Sequence, residues 1–140
     1  MRGFLGAMSM VALMGAASVA SAASRSLHYE PAVVELTGTV VVEDHYGPPN
    51  FGETPEEDAK LRVPMLRLDA PVDVAGDPHS DTNLSSFEDV DQMQIVLVQG
   101  RSVDGFIGKH VTVTGTLAEK LEGGDFTQVL ITMRTIKLAR

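Results

Sequence analysis

Four histidines, His28, His45, His79 and His110, and 19 acids are the residues through which this chain could do acid, base or metal chemistry. There is no cysteine, so disulfides, thiolate zinc sites, a thiol nucleophile and a lipidated N-terminal cysteine are all excluded. The histidines stand far apart, with no i, i+2 or i, i+4 partner, and their spacing signals no zinc site. His45 could be oriented by Asp44, but neighbours on a strand point to opposite faces. Nucleophilic catalysis is equally poorly served: there is no Gly-x-Ser-x-Gly elbow, and Ser80, Ser85 and Ser86 near His79 have the ordinary composition of an acidic loop. Gly123-Gly124 reads as a hairpin turn and not as a phosphate loop. Counting Asp77 as the first position of a calcium loop puts Asp81, Asn83, Ser85 and Glu88 at tolerable places. Against that, His79 stands where an oxygen ligand belongs, Thr82 where a sharp turn wants Gly, and no amphipathic helices flank the segment. The expectation is no catalytic residue, no metal and no cofactor.

Binding is better supported than catalysis. Tyr46 and Phe51 bracket Gly47-Pro48-Pro49-Asn50, and Glu53, Glu56, Glu57 and Asp58 follow directly. The loop from His45 to Leu61 is therefore expected to be the functional surface, with the two rings as apolar anchors and the four acids as a charged rim. From Glu43 to Asp58, and again from Leu68 to Gly100, acids occur without a single Lys or Arg. The net charge of −8 argues against nucleic acid, whose affinity comes largely from Lys and Arg replacing counterions. A basic protein or an oligosaccharide remains as partner.

These residues need a frame, and the apolar pattern supplies one. Val34 to Val42 alternates with period two, as does Val111 to Leu117, and the two echo one another as Leu-Thr-Gly-Thr-Val against Val-Thr-Gly-Thr-Leu. In each, Gly38 or Gly115 falls on the apolar face, where a missing side chain lets a strand bend or a neighbouring backbone approach. Further strands are expected at Met65–Asp69, Met93–Val98 and Phe126–Leu138. In the last, Val129, Ile131 and Met133 share one parity while Ile136 and Leu138 have the other, which requires a bulge near Arg134. A helical turn is expected within Ser102–Ile107, and another near Ser85–Asp89. The fold expectation is all-β: a small five-stranded OB-type barrel with a short helical turn between strands 3 and 4. An open β-sandwich is the alternative.

Residues 1–22 read as a signal peptide, with Arg2, an uncharged apolar stretch from Phe4 to Ala17, and small residues at Ala20-Ser21-Ala22 before cleavage at Ala23. Gly6, Ser9, Gly15 and Ser18 dilute the stretch below what a membrane anchor needs. Residues 23–140 then form a single domain, periplasmic or extracellular, with no membrane span after processing.

Tyr29-Glu30-Pro31-Ala32-Val33, Leu36-Thr37-Gly38, Gly47-Pro48-Pro49-Asn50-Phe51, Leu66-Arg67-Leu68-Asp69 with Pro71, and Gly108-Lys109-His110 running into Val111–Leu117 are, in this order and spacing, similar to the bacterial secreted family called domain of unknown function 4431. The resemblance spans Tyr29 to Leu138 and implies secretion and an OB-like fold, but no activity, cofactor or partner. Members often carry a Cys after the Pro of the second strand and a His-rich stretch between the last two strands. Here those places read Val72-Asp73-Val74 and Lys120 to Phe126, so no metal or redox role transfers through them. The sequence thus reads as an exported non-enzymatic binding module of the cell envelope, an inhibitor or immunity-like protein docking a basic partner. The competing readings are a small secreted hydrolase acting on a glycan or ester through acidic residues, and a structural envelope component.

Overall fold

The computed structural model describes residues 26–140. The expected leader and its cleavage site lie outside the described residues. The elements are β1 (Ser26–His28), β2 (Val33–Tyr46), β3 (Lys60–Ala75), β4 (Phe87–Leu97), a short 3-10 helix (Asp104–Phe106), β5 (His110–Glu119) and β6 (Val129–Leu138). β2 pairs antiparallel with β3, β3 with β4, β5 with β6 and β2 with β5, while β4 and β6 run parallel. These five strands close on themselves as an OB-type barrel, with the 3-10 helix between its third and fourth strands. β1 adds a short parallel pairing to the end of β3. Among the described residues no helix is long and apolar enough to cross a membrane.

Alternation decides the interior. Leu36 and Val40 of β2, Leu66 and Leu68 of β3, Met93 and Ile95 of β4, Val113 and Leu117 of β5, and Ile131 and Met133 of β6 are buried in one core. Their mates at the other parity face outward. The two Thr-Gly-Thr segments lie side by side, Gly38 opposite Val111 and Gly115 opposite Val34. A Cβ at Gly38 would collide with the Arg67 carbonyl oxygen, and one at Gly115 with that of Thr132. Both glycines therefore allow strand backbones to cross closely inside a barrel too narrow for a side chain there.

The parity break in β6 is a bulge. Thr114 pairs with Thr135 and Gly115 with Met133, which leaves Arg134 as the extra residue.

Three local expectations differ from the structure. β3 runs through Pro64 and Pro71 and does not start after the first of them. Both prolines lie where the ladder to β4 is interrupted, Pro64 before it begins at Met65 and Pro71 in the gap between Arg67 and Val72, so their missing N–H groups are tolerated. The turn expected near Ser85–Asp89 is strand from Phe87 onward. Phe87 and Val90 pair with Val74 and Val72, so that Glu88 and Asp89 stand against Asp73 alone, and Asp89 absorbs the excess with φ 53° and an N–H donated to Asp73 Oδ1 at 3.0 Å. A bulge here has the apolar spacing of a helical turn. Finally, the last strand begins at Val129, and Phe126 belongs to the connection before it.

Candidate functional site

Beyond the barrel wall, Val42–Tyr46 of β2 continue to pair with Lys60–Pro64 of β3 after the registers to β5 and β4 have ended. This two-stranded ribbon carries residues 47–59 at its tip. Gly47 N donates to Ala59 O (2.7 Å) and Ala59 N to Pro48 O (2.9 Å), closing the base of the loop. Its interior is organised by Asp58, only 6% exposed. One carboxylate oxygen accepts from Asn50 N (2.8 Å) and Thr54 Oγ1 (3.1 Å), the other from Gly52 N (2.7 Å) and Thr54 N (3.1 Å). Burial pushes the Asp58 carboxyl up, but these four donors outweigh it and hold the group below the usual carboxylate range.

Asp58 therefore departs from the expected rim: its charge is directed inward. Glu53, Glu56 and Glu57 are exposed as the rim requires. Tyr46 and Phe51 are 40% and 44% exposed. Phe51 has φ 49°, a strained backbone for a residue with a side chain, and its ring lies against Gly123 of the β5–β6 connection.

At the root of the ribbon the structure assembles a cluster that sequence reasoning had divided differently. His45 Nε2 lies 3.0 Å from Glu43 Oε2, and Gln92 Nε2 donates to Glu43 Oε1 at 2.7 Å. The hydrogen bonds from Gln92 and His45 hold the Glu43 carboxyl below its ordinary range. Parity decides the partner, because residues two apart on a strand share a face and Asp44 points away. The His45 ring stacks on Phe126 with centroids 4.1 Å apart. Gln94 holds the same segment, its Oε1 accepting from Phe126 N (2.7 Å) and its Nε2 donating to Gly124 O (3.1 Å). The β5–β6 connection is thus strapped over the outer face of β2–β4, where Val63 and Met65 are buried despite outward parity. No hydroxyl is hydrogen-bonded to His45 among the described residues. The pair orients the imidazole ring.

The remaining candidates for chemistry stay apart. Asp77 Oδ1 accepts from His79 N (2.9 Å), and Asn83 turns its Oδ1 to Glu119 N (2.9 Å). His110 pairs with Asp69 at 2.6 Å on a half-exposed surface. Among the described residues no three His, Asp or Glu side chains converge as metal ligands. No family model matches the chain, and no curated protein does. The similarity to domain of unknown function 4431 rests on the motifs alone.

Proposed function

We propose that the protein is an exported, non-enzymatic binding module of the cell envelope whose loop 47–59 docks a basic protein partner. The observation that carries this reading is Phe51, 44% exposed at the tip of a loop that Asp58 fixes from within, beside the exposed carboxylates of Glu53, Glu56 and Glu57. A preorganised loop loses little entropy on docking, and an aromatic anchor with a charged rim divides affinity from encounter rate. Export is supported by the Met1–Ala22 pattern. Pull-down from envelope extract supplies the partner, and capture should collapse with salt. With that partner, Phe51→Ala should speed dissociation by about tenfold or more. Neutralising Glu53, Glu56 and Glu57 together should slow association and flatten its salt response. A Phe51→Ala variant that melts many degrees lower yet releases its partner at the normal rate would make the ring a structural prop and end this reading.

A further inference from the structure

A second surface lies on the opposite side of the β5–β6 connection. Its floor is the outer face of three adjacent strands, formed by Val96 of β4, Ala118 of β5, and Leu130 and Thr132 of β6. The registers put these side by side, Val96 opposite Thr132 and Ala118 opposite Leu130. Around that floor stand four carboxylates, Glu30, Glu119, Glu122 and Asp125, with no Lys or Arg lining the groove. None of the four makes an ion pair among the described residues. Leu121, 67% exposed, lines it as well.

The walls are fixed in place by the fold. Asn83 Oδ1 accepts from Glu119 N, Glu119 Oε2 accepts from Ser85 N (2.9 Å), and the Tyr29 hydroxyl donates to Ser85 O (2.8 Å). Burial, with the Glu119 charge beside it, pushes the Tyr29 hydroxyl up to about 12, so it stays a donor across the physiological range. On the other wall Asp125 Oδ2 accepts from Leu121 N (2.9 Å) and Glu122 N (3.0 Å), which fixes the hairpin tip.

We infer that this groove receives a lysine or arginine side chain from a segment of a partner protein. Its volume of about 200 Å³ is below the range of small-molecule sites and suits one long side chain. Such a side chain has an apolar stem and a cationic head, matching an apolar floor inside an acidic rim. A divalent metal needs converging carboxylates, which this rim does not provide. A sugar would look for an aromatic platform, and no aromatic side chain lines the groove.

The test uses the full-length protein labelled for amide NMR and a capped Gly-Arg-Gly peptide, with citrulline in place of arginine as the neutral control. The arginine peptide should give saturable shifts at Ala118, Glu119, Leu121 and Thr132, and the citrulline peptide none. Glu30→Gln combined with Glu122→Gln should weaken binding by about tenfold with unchanged melting, since charged hydrogen bonds are lost from exposed positions. Glu122→Lys should abolish it. Glu53→Gln and Glu56→Gln should leave it intact, which separates this groove from the loop 47–59 reading. Unsaturable shifts spread over all acidic surfaces, wild-type affinity in the paired variant, or the same saturable shifts with calcium chloride alone would each overturn the assignment.

Discussion

Asp58 faces its own loop, and its charge state decides whether that loop keeps its shape. Its folded pKa is depressed, so the stabilisation is fully present above the ordinary Asp value of about 4 and is lost as pH falls through the lower folded value. Acidification through that window should lower the protection factors of the Asn50, Gly52 and Thr54 amides, their exchange being compared with the intrinsic rate at each pH, while the barrel strands keep their protection. Asp58→Ala should produce the same pattern at neutral pH, and barrel strands that open together with the loop would show the staple to be global. In the sequence, Glu56, Glu57 and Asp58 form one acidic run, and nothing in composition shows which of them turns inward. The spacing from Thr54 to Asp58 is the only local signal, and it acquires meaning once the loop is closed. Phe126 was hidden for another reason: aromatic and β-rich surroundings assign it to a strand, whereas its ring is placed by His45, which is remote in sequence.

At the level of elements, the paired glycines and the β6 bulge carry the barrel's curvature. Gly38→Val or Gly115→Val sets a branched side chain against a backbone carbonyl, which cannot rotate away. Each should cost at least about 1–3 kcal/mol, read as a lower denaturation midpoint, and an unchanged midpoint in both would refute the close crossing. Deleting Arg134 would leave Met133 opposite Gly115 and Thr135 opposite Thr114 in an unbroken ladder, so the facing of Thr135 to Leu138 is kept and any loss of stability reads the bend that the bulge supplies. Both features were readable from the chain: the glycines from the repeated Thr-Gly-Thr, the bulge from the parity of Val129 to Leu138. The full length of β3 was not, since Pro64 and Pro71 punctuate it and only the tertiary ladder shows that their N–H groups are unneeded. Three-residue β1 carries too little pattern to be seen alone, and it exists because the end of β3 offers it an edge.

For the whole molecule, a net charge of −8 sets carboxylates against one another over a small surface. Moderate sodium chloride should therefore raise the melting temperature by screening that repulsion, whereas a fall would mean that attractive pairs dominate. The same closure that makes the barrel also governs when it can form. Val33 at its beginning pairs with Thr116, and β6 at its end is held by both β4 and β5. Contacts so distant along the chain repay loop-closure entropy late, so refolding should be slow for a protein of this size, roughly milliseconds to seconds. Until β6 arrives, the earlier strands have no closed wall to complete. A chain delivered in extended form would therefore stay open until β6 had followed, and only then could the barrel close around its core.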